Sequence, residues 1–245
     1  MTEGSNRRRR FSRWCATVLL VAALVLTACS DDTSAPAPGS LGTGGDPLTI
    51  DARLIDASER GDLSEVQKLL AVGSSVRYTD DRGRTALIAA AYANQVNVAK
   101  VLIATGADVN VQDASQQSAY LISTSEGYVE LLTLTLANGA DVKGLDSFNG
   151  TGLIRAAHRG HGDIVRQLLR TNIDVDHVNR LGWTALLESI LLGDGSAKYV
   201  DVVTQLVAAK ADVNLADGAG VTPLQHARRL NQTEIATILE RSNGR

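Results

Sequence analysis

The chain has 245 residues, with 24 lysines and arginines against 27 aspartates and glutamates, for a net charge of −3. Five of the arginines and one glutamate lie in the first 28 residues, so the remainder carries 19 basic against 26 acidic side chains, a net charge near −7. Such a surface argues against nucleic-acid binding, because backbone phosphates require lysine and arginine. It also argues against docking to anionic lipid through a basic patch.

Residues 1–28 are typical of an export signal. Arg7–Arg10 and Arg13 precede an apolar run of 13 residues, ATVLLVAALVLTA, at Ala16–Ala28. A membrane-spanning helix needs roughly 20 apolar residues, so the run favours a cleaved lipoprotein-type signal over an uncleaved anchor. The sequence therefore predicts an exported protein.

The apolar run ends in LTAC, at Leu26–Cys29. This stretch resembles the bacterial lipobox. The resemblance implies that the Cys29 thiol receives diacylglycerol, that cleavage falls before Cys29, and that a fatty acid such as palmitate acylates the new amino terminus. Two or three acyl chains anchor a protein stably, whereas one chain is marginal. We therefore expect a lipid-anchored protein at the cell membrane, facing the periplasm or the cell exterior; an ordinary signal peptide with an incidental cysteine is the alternative.

The basic segment RRRRFSR also resembles a twin-arginine signal at Arg8, Arg9 and Phe11, which implies export in the folded state. General secretory export is the alternative. After cleavage, Cys29 is the only cysteine left, so no intramolecular disulfide forms and packing alone must stabilise the protein. Residues 29–48 are rich in Ser, Pro, Gly and Asp and bury too little apolar surface to order themselves. They predict a disordered tether with a mean span of roughly 25 Å.

Residues 49–245 repeat themselves. The segment ATGADVNVQD at Ala104–Asp113 returns 33 residues later as ANGADVKGLD, and related copies end at Asn179 and Asp217. The last interval is 38 residues, which places five extra residues near Asp194–Lys198. A fixed period of this length indicates stacked structural units.

Within each unit the pattern predicts two short helices. In the second unit, Gly83 suits a turn and Thr85 suits the cap of the first helix. Val98 and Leu102 lie four residues apart, on one face of the second helix. Gly106 suits the stop of that helix.

These units resemble ankyrin repeats, whose pattern runs from a turn glycine through TPLHxAAxxGHxxVVxxLL to GADVN. The segments TALIAAAYANQVNVAKVLIATGADVN and TGLIRAAHRGHGDIVRQLL are close copies, and GWTALLESI and VTPLQHA are partial ones. The resemblance covers residues 49 to about 242 and implies an all-α solenoid of about six helix-turn-helix units with short hairpin-like connections. The expected units span about 49–80, 81–113, 114–146, 147–179, 180–217 and 218–245.

No motif indicates catalysis. His158, His161 and Asp163 in HRGHGD are the strongest metal candidates, but His161 occupies the Gly-His position of the repeat pattern. The sequence has no His-Glu-x-x-His, no cysteine pair for zinc, no phosphate loop and no Gly-x-Ser-x-Gly elbow. We therefore expect a non-catalytic protein with no cofactor and no small-molecule substrate. A metal-dependent enzyme that uses His158 and His161 is the alternative.

A solenoid offers an extended concave surface, and the resemblance implies that turn tips and the exposed face of the first helices line it. The only Trp and the only Phe after residue 28 fall on these positions. Exposed aromatic residues and arginines dominate interface energies; a tryptophan folded back over the stack is the alternative. The expected protein-binding residues are Arg82, Arg84, Tyr92, Glu126, Phe148, His158, Arg159, Arg180, Trp183 and Tyr199, with Ser115, Gln117, Ser125, Leu181 and Leu191 beside them.

The four arginines of this set predict a locally basic groove for an acidic segment of the partner, unless turn aspartates such as Asp81 and Asp146 neutralise it. Tyr199 joins the set because the insertion GDGSAKY is expected to extend the binding face; an ordinary tolerated loop is the alternative. Together, these features predict a lipid-anchored bacterial envelope protein that binds another protein and scaffolds, protects or inhibits an exported enzyme. A purely structural spacer is the alternative.

Overall fold

The computed structural model describes residues 49–245. The expected signal, the lipidated Cys29 and the tether to residue 48 lie outside the described residues. From Thr49 onward every regular element is an α-helix, and the helices follow one another in six pairs, which confirms the all-α solenoid. The helices are α1 Ile50–Arg60, α2 Leu63–Ala71, α3 Ala86–Tyr92, α4 Val96–Ala104, α5 Ala119–Glu126, α6 Val129–Ala137, α7 Gly152–Arg159, α8 Gly162–Leu168, α9 Ala185–Leu191, α10 Ala197–Ala208, α11 Pro223–Arg229 and α12 Thr233–Arg241.

A recurring hydroxyl residue begins the first helix of each pair from the second pair onward. Its side-chain oxygen accepts the backbone N–H three residues later, at 3.2 to 3.4 Å. This bond satisfies one of the N–H groups that a helix start leaves free, so the predicted cap at Thr85 is confirmed. The five caps are Thr85, Ser118, Thr151, Thr184 and Thr222.

The first helices of the pairs pack against one another in one row, and the second helices form a parallel row beside them. The fully buried run Ala89–Ala91 has small side chains that let neighbouring helices approach closely. In the second row, Val98, Leu102 and Leu168 are buried, as their spacing predicts. None of the helices within residues 49–245 is long and apolar enough to span a membrane.

The five extra residues of the fifth unit do not all enter a loop. The loop from α9 to α10 has two more residues than the loop from α3 to α4, and α10 has 12 residues where α4 and α6 have nine. Tyr199 lies in this added helical turn. Its side chain is only 7% exposed, and its hydroxyl donates to the His158 carbonyl oxygen at 3.0 Å. The expectation of a Tyr199 side chain exposed for a partner is therefore wrong, because the added turn packs the ring against the preceding unit.

The third unit departs most from the repeat pattern. Gln116 takes the place of the turn glycine at a φ of +59°, a left-handed conformation that costs a non-glycine residue about 1–2 kcal/mol. The Tyr120 side chain is fully buried, and its hydroxyl has no hydrogen-bond partner among the described residues. The hydrophobic core also divides here: Ile122 belongs to the cluster on the N-terminal side, and Tyr120 and Leu132 belong to the cluster on the C-terminal side.

Candidate protein-binding surface

The tips that join successive units share one hydrogen-bonding pattern. Each tip starts with a carboxylate or amide side chain whose Oδ1 accepts the backbone N–H groups two and four residues later, at 2.8 to 3.1 Å. Such side-chain turns fix the backbone locally. At Asp217, the hydrogen bond from the Val221 N–H outweighs burial and lowers the pKa of the carboxyl group. The five starting residues are Asp80, Asp113, Asp146, Asn179 and Asp217.

Neighbouring tips are also joined to each other. The Ala114 N–H donates to the Arg82 carbonyl oxygen at 2.9 Å, and the Arg180 N–H donates to the Phe148 carbonyl oxygen at 2.9 Å. The Arg180 side chain reaches back in the same direction, where Nη1 donates to the Ser147 carbonyl oxygen at 3.0 Å. The tips therefore form an edge beside the first row of helices, in which the second tip is bonded to the third and the fourth tip to the fifth.

A first pocket, of about 670 Å³, opens beside the tip of the second unit. Three of the predicted residues, Arg82, Arg84 and Tyr92, line it together. The Tyr92 ring is partly exposed, and its hydroxyl donates to Asp113 Oδ2 at 2.8 Å. Burial is the main cause that raises the pKa of this tyrosine.

The charges of this pocket correct the expected basic groove. Arg84 Nε bonds Asp80 Oδ2 at 2.8 Å, and Arg84 Nη1 bonds Glu59 Oε2 at 3.3 Å. Among the lining residues, the two arginines face three acids, Glu59, Asp81 and Asp113. The pocket therefore has an excess of negative charge, because Glu59 of α1 and the tip residues Asp81 and Asp113 outnumber the two arginines.

A second pocket, of about 140 Å³, lies between the fourth and fifth units. Phe148 and His158, both predicted, line it, together with Leu181. Phe148, Leu181 and Leu192 are about half exposed and form an apolar rim. Two charged residues that the sequence reasoning missed, Arg155 and Glu188, also line it.

Arg155 and Glu188 occupy equivalent positions on the first helices, nine residues after the tip residue. Arg155 Nε lies 3.4 Å from Asp146 Oδ2. Asn179 Nδ2 donates to Glu188 Oε1 at 2.8 Å. In the sixth unit the equivalent His226 Nε2 lies 2.8 Å from Asp217 Oδ2. The sequence signal that could have found this position is therefore its constant spacing of nine residues from the tip residue.

Burial shifts Glu188 and His158, two of the titratable residues that line the second pocket, toward their neutral forms. Burial raises the pKa of Glu188, and the Asn179 hydrogen bond and the Arg155 charge offset only part of that effect. Burial, with the charges of Arg159 and Arg155, lowers the pKa of His158 below its ordinary value of 6.5. His158 Nδ1 lies 3.3 Å from Glu188 Oε2. At neutral pH the imidazole is therefore largely uncharged and does not pair with the carboxylate as an ion.

We expect Glu188→Gln to raise the melting temperature at neutral pH. A pKa above the ordinary value of 4.5 means that the folded state holds the Glu188 proton more tightly than the unfolded chain does. The neutral Glu188 carboxyl group therefore stabilises the fold at low pH. This stabilisation is lost as the pH rises through the pKa that Glu188 has in the folded state. Wild type and Glu188→Gln should thus differ little near pH 4 and diverge, in favour of the variant, toward pH 8. Thermal unfolding across this range measures the difference.

The control for this prediction is Glu234→Gln, which removes the same charge from an exposed position on α12. Its melting temperature should equal or fall slightly below that of the wild type, because a negative charge is favourable in the first turn of a helix. A Glu188→Gln variant that is less stable than wild type at neutral pH would contradict the prediction.

The other predicted residues are placed as follows. Glu126 and Arg159 are exposed at the C-terminal ends of α5 and α7, and Trp183 is half-buried at the fifth tip. Ser125 is buried and so is not available to a partner. The predicted set therefore spreads along the edge, and only its members in the two pockets are brought together.

The two histidines considered as metal ligands have separate surroundings. His161 is the N-cap residue of α8, and its Nε2 lies 3.1 Å from the Ser125 carbonyl oxygen. A Cβ on Gly127 would meet the His161 ring at 2.9 Å, so the ring packs closely over that backbone. Between residues 49 and 245, no three His, Cys, Asp or Glu residues are grouped closely enough to hold a metal ion.

A protein-family model of ankyrin repeats, in three copies, matches residues 54–146 and 120–217. No curated protein matches the chain. Among solved structures, an ankyrin repeat domain from Acinetobacter baumannii is 42% identical, with a TM-score of 0.76 over 79% of this chain and 98% of that one. The ankyrin repeat protein EF0377 is 34% identical, with a TM-score of 0.74 over 78% of this chain and 97% of its own. The chain therefore belongs to the ankyrin-repeat proteins.

Proposed function

We propose that this protein binds another protein along the edge formed by its tips and first helices, without catalysis. The observation that carries the proposal is the apolar rim of Phe148, Leu181 and Leu192 around the second pocket. Three large apolar side chains exposed together are typical of a contact surface, whereas single exposed ones are ordinary. Membership of the ankyrin-repeat family supports the same reading.

We further propose that the protein is exported and held at a bacterial cell membrane by lipid on Cys29. The basic segment, the apolar run and the sequence LTAC support this proposal. The partner would then be another envelope protein, and scaffolding, protection or inhibition of an exported enzyme is the role we favour. Labelling of cells with radioactive palmitate tests the anchor: the full chain should be labelled, and Cys29→Ser should not. Equal labelling of both chains would remove the lipid from the proposal.

Affinity capture from envelope extract tests the binding surface. The purified fragment of residues 30–245 contains the whole repeat domain, residues 49–245, and so presents the whole edge. We expect wild type to hold a protein that Phe148→Ala/Leu181→Ala loses, because the double variant removes the apolar rim. Val72→Ala/Val129→Ala is the matched control, since it truncates two apolar residues that are exposed at the second row of helices.

Capture that is equal for wild type and Phe148→Ala/Leu181→Ala would place the binding surface elsewhere. Capture by none of the three versions would favour the structural spacer. Thermal unfolding of each version verifies that a loss of capture does not come from a loss of fold.

A further inference from the structure

We propose that the second pocket receives a lysine or arginine side chain of the protein partner, whose cationic group pairs with Glu188. This inference deepens the proposed function and rests on it. It replaces the acidic partner segment that the sequence suggested with a basic one.

The first argument is the incomplete bonding of the Glu188 carboxylate. Its side chain is only 5% exposed. Oε1 accepts the Asn179 amide at 2.8 Å, but Oε2 has no hydrogen-bond partner among the described residues. A buried carboxylate oxygen without a donor is costly to the fold. The nearest nitrogen of a basic side chain is His158 Nδ1, at 3.3 Å, without a hydrogen bond. Glu188 and His158 both line the open pocket, so a cationic donor from a partner would complete the bonding of the carboxylate.

The second argument is that the fold does not need an acid at this position. The equivalent residues of the other four units that begin with a tip are Ala89, Ile122, Arg155 and His226, none of which is acidic; the first unit, which has no tip, has the exposed Asp56 there. The fifth unit has Asn179 at the tip, where the others have aspartate, and its acid stands on the helix instead. Asn179 still accepts both tip N–H groups, at 2.9 and 3.1 Å. The backbone bonds of the tip are therefore complete without Glu188. Its Oε1 holds the Asn179 amide, and Oε2 is left for a ligand.

The third argument is charge complementarity. Asp146 and Glu188 supply two negative charges to the pocket, and Arg155 supplies one positive charge. Arg155 is already engaged, since Nε lies 3.4 Å from Asp146 Oδ2 and Nη2 donates to Ser125 Oγ at 3.4 Å. With His158 largely neutral, the pocket has one unbalanced negative charge. This balance favours a cation over an anion.

The fourth argument is the shape and chemistry of the opening. A pocket of about 140 Å³ suits one side chain rather than a helix or strand. Lysine and arginine combine an aliphatic stem with a charged end, and the stem would pass Phe148, Leu181 and Leu192 before the charge reaches Glu188. The Phe148 ring also offers a face that attracts cations.

Selection from a random peptide library displayed on phage tests the proposal. The bait is residues 30–245; its folded part corresponds to almost the whole of the crystallised A. baumannii domain, which shows that such a stack folds by itself. Peptides selected by wild type should share one position enriched in lysine or arginine. Glu188→Gln should lower that enrichment at least tenfold, and Glu234→Gln should leave it unchanged.

A double-mutant cycle in solution tests the same pairing by changing both partners, the basic residue of the peptide and Glu188 of the protein. A selected peptide is synthesised with its basic residue and again with glutamine there. The change should weaken binding to wild type at least tenfold and should leave binding to Glu188→Gln almost unchanged. An equal loss on both proteins overturns the pairing with Glu188.

The outcomes of the selection separate the two proposals. Selected peptides with no basic preference, or with acidic residues at the shared position, overturn the basic side chain but leave protein binding along the edge intact. Absence of any selected peptide contradicts the binding surface and this inference together.

Discussion

Replacing Leu168 with alanine is expected to lower the free energy of unfolding by about 2–5 kcal/mol. Leu168 is fully buried at the end of α8 and belongs to the hydrophobic cluster that continues from the third unit to α12. The loss combines the transfer energy of the removed carbon atoms with the cost of the remaining cavity. Each unit touches only its neighbours, so the cavity weakens the fourth unit and its contacts with the units on both sides.

Urea unfolding followed by circular dichroism measures this loss. Leu230→Ala is the control, because Leu230 is exposed at the end of α11 and its truncation should change stability by no more than about 0.5 kcal/mol. A loss below about 1 kcal/mol for Leu168→Ala would contradict the packing described here.

Gly152→Ala is expected to destabilise the protein by about 1–3 kcal/mol, although alanine is the better helix former by about 1 kcal/mol. A Cβ at Gly152 would lie 2.5 Å from Tyr120 Oη and 3.0 Å from Thr124 Cγ2. Tyr120 is fully buried, so its ring can move aside only by displacing the side chains packed around it. The two positions are therefore a matched pair, in which a large residue in the third unit requires the smallest residue in the fourth.

A smaller residue at position 120 should reverse the sign of this effect. In a Tyr120→Leu background, Gly152→Ala should be neutral or stabilising, because the clash with the phenol is gone and the helix propensity of alanine remains. A double-mutant cycle of unfolding energies measures the coupling. Additive losses would contradict the pairing. Hydrogen exchange in α5 and α6 complements the cycle, since we expect the third unit to be the least protected of the stack.

The architecture was predictable because its evidence is repeated. The hydroxyl caps, the turn residues and the buried positions return at the 33-residue period, so each copy supports the others. The single insertion has no second copy. Nothing in the sequence tells whether added residues lengthen a loop or a helix, and the side of the added turn on which Tyr199 falls decides its burial.

The site was predictable only in its general place. Phe148 was predicted as an aromatic residue at a tip and Tyr92 as one on the exposed face of a first helix, and both line pockets. Glu188 and Arg155 were missed because GWTALLESI and TGLIRAAHRGHGDIVRQLL were used only to identify the repeat pattern. At the two pockets the structure favours the alternative to a basic groove, in which turn aspartates neutralise the arginines: Asp81 and Asp146 line the pockets, and Arg84 is bound by two carboxylates.

The hydrogen bonds within the tips determine how the entropic cost of binding is divided between this protein and its partner. Their backbone N–H groups are already held by the side chain that begins each tip, at 2.8 to 3.1 Å, before any partner arrives. Preorganisation of this kind leaves little backbone freedom for binding to remove. The partner must therefore supply most of the ordering, and a segment that is rigid by itself will bind more tightly than a flexible segment with the same contacts.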